Sequence, residues 1–183
     1  YFMSENLVSR TDNGIGWIIF NNAEKRNAVS LQMAKQAAEC IREHEENDEV
    51  RVLIIKGEGG KSFVSGADIS EFEKIRSTPE GVKMYETTSN QMYQGLKDCA
   101  KATIAMIEGY CMGGGVALAC ACDFRICSKD AIFSGPAARL GICYGPNFTR
   151  WVVEAVGLSS AKEILMSARR YSAEEAHGIG LVN

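Results

Sequence analysis

Gly109 to Cys120 reads Gly-Tyr-Cys-Met-Gly-Gly-Gly-Val-Ala-Leu-Ala-Cys, with three adjacent glycines between a β-prone run and a small apolar helical run. This stretch constrains the fold more than any other. A helix N-terminus leaves backbone N–H groups unpaired and carries positive partial charge. Glycines there let another group come close to those N–H groups. Two readings stand. One is a site for an anion, or for an oxygen that becomes one. The other is close helix–sheet packing, which demands glycine on steric grounds. A P-loop is excluded because no Lys-Ser/Thr follows, and the spacing does not match the dinucleotide fingerprint.

Around this loop the pattern alternates strand with helix. Leu7–Thr11 and Gly16–Phe20 read as a hairpin through Asp12-Asn13-Gly14. Ser30 caps a helix to about Asn47, with Leu31, Ala34, Ala38 and Ile41 on one face. Val52–Lys56 and Ser62–Val64 read as strands, and Thr78-Pro79 opens a long helix whose apolar face is Val82, Tyr85, Met92 and Leu96. Thr103–Ile107, Asp123–Ser128 and Ile132-Phe133 are further strands. Val116–Cys122, Asn147–Val156 and Ser160–Ala168 are helices, and Ser172 caps a last one, Ala173–Gly178. The order predicts an α/β fold with parallel pairing and crossover helices.

Composition narrows the function classes. The chain has 183 residues, 46% hydrophobic, which suits one domain with its own core. A formal net charge of -3 gives no basic surface for nucleic acid or an anionic membrane, and no apolar run reaches the length of a membrane span. Met3 reads as an initiator, leaving residues 1-2 as a tag remnant and 3-183 as the domain; no signal peptide follows. Seven cysteines in a chain of this length do not form a small secreted framework, and Cys120, Cys122 and Cys127 lack the spacing of a zinc site. They read as small buried hydrophobes in a reducing compartment, the cytoplasm, with no metal expected. His44 and His177 sit at helix ends, structural or on the surface.

A second stretch repeats the logic of the first. Ser62-Phe63-Val64-Ser65-Gly66-Ala67-Asp68-Ile69-Ser70-Glu71 is again a strand, then small residues, then a helix start. Two such loops can aim two backbone N–H groups at one point, the arrangement of an oxyanion hole.

Together the two stretches resemble the enoyl-CoA hydratase/isomerase, or crotonase, superfamily. The first looks like its G-Y-x-x-G-G-G-x-x-L-A segment and the second like its A-F-x-A-G-A-D-I-x-E segment. Asn21 to Ala28, Asp123 to Ser128, Arg169 to Ser172 and Ala176 to Val182 fit as well, so the resemblance covers nearly the whole chain. It implies a ββα superhelix, an acyl-CoA thioester as substrate and no separate cofactor. It also implies a homotrimer or a hexamer made of two trimers. The oxyanion donors it implies are the N–H groups of Ala67 and Gly114. Lys25, Arg26 and Ala28 would cradle the CoA phosphates and adenine, and Ser65, Ala67, Asp68, Ile69, Gly113 and Pro136 would line the substrate. The bland alternative for Lys25 and Arg26 is a solvated loop, and Asp68 is better suited to holding its loop than to acting as a base.

The chain departs from the family at two positions. Hydratases of the family carry one glutamate just after the glycine triplet and another after the proline of the next short strand. Those positions are Ala117 and Ala137, and no Asp or Glu occurs between Gly109 and Asp123 or between Ala131 and Arg150. The standard acid/base pair for adding water is therefore absent. Tyr144, Cys143 and Arg139 are the remaining chemical candidates: Tyr144 as a donor or as packing, Cys143 as a thiol without a histidine partner, Arg139 as a partner for a carboxylate. The expected activity is that of a hydratase/isomerase-type lyase stabilising a thioester enolate. Decarboxylation or thioester hydrolysis on the same fold, and non-catalytic acyl-CoA binding, are the alternatives. The family continues past Val182 into a helical segment that covers the acyl pocket, so that segment is expected to be missing here.

Overall fold

The computed structural model describes residues 2–4, 6–71, 75 and 77–183. Tyr1, read above as part of a tag, lies outside them. The strands are β1 (Phe2–Ser4), β2 (Leu7–Asp12), β3 (Ile15–Phe20), β4 (Val52–Gly57), β5 (Ser62–Val64), β6 (Ala102–Ile107), β7 (Tyr110–Met112), β8 (Phe124–Cys127), β9 (Ile132–Ser134) and β10 (Tyr171–Ser172). The helices are α1 (Leu31–Glu46), α2 (Pro79–Asp98), α3 (Gly114–Ala121), α4 (Pro146–Ser167) and α5 (Ala173–Gly178).

Two sheets form. The first runs β1-β2-β3-β4-β6-β8 and the second β10-β9-β7-β5. β3, β4, β6 and β8 pair in parallel in one sheet, while β5, β7 and β9 pair in parallel in the other. Each of the pairs β4/β5, β6/β7 and β8/β9 thus sends its first strand to one sheet and its second strand to the other. That is the ββα superhelix expected from the resemblance.

Local chemistry accounts for most element ends. Asn13 (φ 51°) and Gly14 (φ 81°) form a two-residue left-handed turn that closes the β2–β3 hairpin. Ser30 accepts from Met33 N–H, and Thr78 from Gly81 N–H with Pro79 in the first helical turn. Ser172 and Glu175 make a reciprocal capping box at the start of α5. Gly157 (φ 75°, ψ 167°) breaks α4 into the two segments the sequence predicts.

Several elements differ from the sequence expectation. β7 lies inside what reads as a glycine loop. Three residues between glycines carry no periodic signal, and the strand exists because β5 and β9 supply partners on both sides. The two-residue β10 arises in the same way against β9. Along α1 the buried residues are Met33, Ala34, Ala37, Cys40, Ile41 and His44, so the core face is rotated from the Leu31/Ala38 stripe. On α2 only Met92 and Leu96 of the expected face are buried. Met106, Phe124 and Ile126 project outward from the first sheet.

α3 is the centre of the molecule. Every residue from Gly115 to Ala121 is buried, and the helix is apolar on all sides, as a helix enclosed by protein must be. It packs against α2, α4, β5 and β7. Trp151, Tyr171, Phe20, Phe63 and Phe133 fill the surrounding core. All seven cysteines are free, with Cys40, Cys111, Cys120 and Cys122 buried and Cys143 exposed. Among the described residues no helix is long and apolar enough to cross a membrane.

Candidate functional site

The loops after β5 and β7 emerge side by side because those strands are parallel neighbours. The three glycines of the second loop have three different tasks. Gly113 adopts φ 52°, ψ −118°, a backbone conformation that side chains rarely permit, while its N–H donates to Ser134 O of β9 at 2.9 Å. Gly115 lies so close to β5 that a methyl group there would stand 2.2 Å from Val64 O. Gly114 borders the end of a side chain rather than backbone. A methyl on it would lie 3.0 Å from the Tyr93 hydroxyl and 3.8 Å from Ala67 N. The packing explanation therefore holds for Gly115, whereas among the described residues no backbone from elsewhere in the chain stands within 3.0 Å of the methyl position of Gly114.

The first loop is pinned from behind. Val29 N–H donates to Gly66 O at 2.8 Å, and Asp68 N–H donates to Val29 O at 2.9 Å. Val29 and Ala67 form a parallel bridge. In such a bridge the N–H of Ala67 points away from Val29, and Ala67 N lies 3.8 Å from the methyl position of Gly114. Gly66 abuts the end of β7: a methyl on it would touch Met112 O at 3.4 Å and Gly114 N at 3.6 Å. Among the described residues neither Ala67 N–H nor Gly114 N–H has a hydrogen-bond partner.

Asp68 is the hub of its loop. Its carboxylate accepts from Ser70 N–H at 3.0 Å and from the Ser70 hydroxyl at 2.6 Å. Lys25 Nζ lies 2.8 Å from Asp68 Oδ2. The Lys25 hydrogen bond, with the Ser70 hydroxyl next, holds the Asp68 carboxyl below the usual range, and the same contact raises Lys25. Ser65 N–H donates to Arg26 O at 3.2 Å and its hydroxyl to Lys25 O at 3.4 Å. Ala28 N–H donates to Lys25 O at 3.0 Å, and Ala28 O accepts from Asn22 Nδ2 at 3.1 Å. Asn27, fully buried, binds Glu58 O and Ser62 O through its amide nitrogen and takes Asn22 N–H on its oxygen. The reading of the sequence passed over Asn27, although a left-handed asparagine (φ 56°) between a basic pair and a helix cap is a visible signal.

The remaining expected residues fall in distinct places. Ile69 is 72% exposed. Arg26 lies over the Tyr110 ring at 5.5 Å and, with Lys61 and Asp130, lines a cavity of about 330 Å³ at the far end of β7 from the triplet. Pro136 opens a 3-10 turn, Pro136–Leu140, with its Cδ 3.9 Å from where a methyl on Gly113 would stand. Ala117 and Ala137 are both buried. Arg139 and Cys143 are exposed.

Tyr144 is brought to the site. Its hydroxyl lies 3.5 Å from the methyl position of Gly113, and its ring stacks on Phe148 at 3.8 Å. Burial pushes its phenol up to about 12, while the Ala137 backbone pulls slightly the other way. Tyr93 was not singled out from sequence. It sits on α2, one residue past Met92 of the expected face, and only the packing of α2 on α3 turns its hydroxyl to Gly114. Among the described residues no group of three or more His, Cys, Asp or Glu side chains is placed to hold a metal ion.

Residues 10–183 match the family model described as enoyl-CoA hydratase/isomerase. The chain is 35% identical over 178 residues to the short-chain-enoyl-CoA hydratase of Clostridium acetobutylicum, covering 97% of this chain and 67% of that protein. It is 32% identical to the peroxisomal Delta(3,5)-Delta(2,4)-dienoyl-CoA isomerase of Arabidopsis thaliana, covering 100% of this chain and 69% of that one. Among solved structures, an enoyl-CoA hydratase/carnithine racemase from Magnetospirillum magneticum superposes with a TM-score of 0.95 at 30% identity, over 99% of this chain and 68% of that one. The chain thus spans about two thirds of the length of these relatives. With the glycine loops, the two interleaved sheets and the family match in agreement, the chain belongs to the enoyl-CoA hydratase/isomerase family.

Proposed function

We propose that this chain carries the thioester-binding and oxyanion-stabilising part of an acyl-CoA enzyme of the hydratase/isomerase type. One observation carries the reading: the N–H groups of Ala67 and Gly114 are both unpaired among the described residues, and Ala67 N lies 3.8 Å from the methyl position that Gly114 leaves empty. A thioester oxygen placed there gains two fixed donors as it becomes an enolate oxyanion. Such donors cost no reorganisation at the moment of reaction, and losing one typically lowers the rate by about 10²–10³. The Lys25–Asp68 link and the Asn27 hydrogen bonds hold the loop of one donor, and the Gly113–Ser134 hydrogen bond holds that of the other.

Ala117 and Ala137 support a second reading for the bond that changes. Buried methyl groups stand where the hydratases of the family carry carboxylates, so no proton acceptor is offered from either position. Decarboxylation of a malonyl-type thioester forms the enolate by losing carbon dioxide and needs no base. Hydrolysis of the thioester, or binding without turnover, are the remaining outcomes.

The test is a mass-spectrometric turnover screen against enoyl, 3-hydroxyacyl, malonyl-type and aromatic CoA thioesters. Gain of water, loss of carbon dioxide or release of free CoA each names a reaction. In Gly114→Pro the donor is removed at a first helical position that tolerates proline. Turnover should disappear, and full turnover in that variant overturns the oxyanion assignment.

A further inference from the structure

The Tyr93 hydroxyl is chemically unemployed in the structure as described. Its ring packs edge-on against Trp151, with centroids 5.8 Å apart and planes at 60°. Its oxygen has no hydrogen-bond partner among the described residues, yet it lies 3.0 Å from the methyl position of Gly114. That same point is 3.8 Å from Ala67 N. The hydroxyl is absent from the fully buried polar atoms left without a partner, so its oxygen stays reachable from outside the packed core. The empty methyl position of Gly114 thus lies between the hydroxyl, at 3.0 Å, and the Ala67 nitrogen, at 3.8 Å.

We infer that Tyr93 is a catalytic residue: its hydroxyl is the third hydrogen-bond donor to the thioester oxygen, beside Ala67 N–H and Gly114 N–H. The inference rests on the oxyanion reading and goes beyond it by adding a side chain to the backbone pair. The phenol is suited to donating. Burial, followed by the charges of Tyr85 and Tyr144, raises it above the ordinary phenol range, so it keeps its proton at any working pH. The hydrogen stays on Tyr93 through the step; the oxygen of the substrate gains charge and the bond to it shortens. Tyr144, on the other side of the triplet, is fixed by its stack on Phe148 and borders Gly113 instead. The two tyrosines therefore border adjacent glycines, and the Tyr93 hydroxyl is the one that stands 3.0 Å from the methyl position of Gly114.

The experiment uses acetoacetyl-CoA as probe and follows the ultraviolet band of its enolate against pH, for the wild type, Tyr93→Phe and Gly114→Ala. Phenylalanine keeps the ring against Trp151, so thermal melting should be unchanged. In the wild type the bound probe should ionise well below the pH at which it does so free. Loss of a donor to a charged oxygen should move that midpoint up by about one to two pH units in Tyr93→Phe, with probe affinity at low pH little altered. Gly114→Ala, whose methyl would stand in the same space, should also raise the midpoint and, by crowding the thioester oxygen, weaken probe binding at every pH. A shift in Gly114→Ala with none in Tyr93→Phe overturns the inference and leaves the oxyanion reading standing. A wild type that does not bind the probe, or binds it without ionisation, removes both.

Discussion

The Lys25 ammonium stands 2.8 Å from Asp68 Oδ2, joining the loop after β3 to the loop after β5 although the two residues are 43 apart in sequence. This contact ties a residue expected to meet CoA to the loop that carries Ala67. Asp68 is depressed in the folded state, first by the Lys25 hydrogen bond. Its contribution is therefore complete above the ordinary carboxylate range and lost as pH falls through the lower folded value. Thermal melting from pH 5 to pH 2 should show a steeper loss in the wild type than in Asp68→Asn. Equal slopes would mean that the contact contributes nothing to the fold.

Adjacent glycines should fail differently. In Gly115→Ala the new methyl meets the Val64 carbonyl oxygen at 2.2 Å, and backbone cannot swing aside as a flexible side chain can. Overpacking of this kind costs roughly 1–3 kcal/mol or more, and a chain of this size then melts about 2–4 °C lower per kcal/mol. Gly114→Ala comes closest to the end of the Tyr93 side chain, at 3.0 Å, with backbone at ordinary contact distance, and should melt within about 2 °C of the wild type. Calorimetry on the pair checks the split: a Gly114→Ala protein as damaged as Gly115→Ala would assign Gly114 to packing.

Tyr144 is held neutral by burial to about pH 12. The kcat–pH profile on any thioester that turns over should show no loss from its ionisation up to pH 10. Tyr144→Phe preserves the stack on Phe148 and should melt like the wild type. An alkaline limb near pH 9 that disappears in Tyr144→Phe would show a phenol far more acidic than its surroundings allow.

His44 is buried, with its Nε2 2.8 Å from Ser9 Oγ, and a methyl on Gly16 would lie 2.9 Å from its ring. Burial lowers its pKa, so the folded protein prefers the neutral ring. Stability is then complete above the ordinary imidazole value near 6.5 and falls as pH drops below it, because the unfolded chain binds the extra proton. The urea midpoint should fall between pH 7.5 and pH 5.5, and less so in His44→Gln. An equal fall in both proteins would place the sensitivity elsewhere.

What the sequence determined by itself was local. The Asn13-Gly14 turn, the Ser30, Thr78 and Ser172 caps, and the break near Gly157 are legible because each depends on a few neighbouring residues. The two glycine stretches were legible as a pair because each follows a strand and opens a helix. Tertiary structure decided the rest. β7 needs β5 and β9 beside it, since three residues cannot specify a strand alone. The face of α1 that turns inward, and with it the burial of His44, depends on what α1 packs against. The separate tasks of Gly113, Gly114 and Gly115 depend on Ser134, Tyr93 and Val64, none of them a neighbour in sequence. Tyr93 looked like one more aromatic on a long helix. Its place at the site comes from where α2 crosses α3, and non-local contacts of that kind leave no periodic trace in a single sequence.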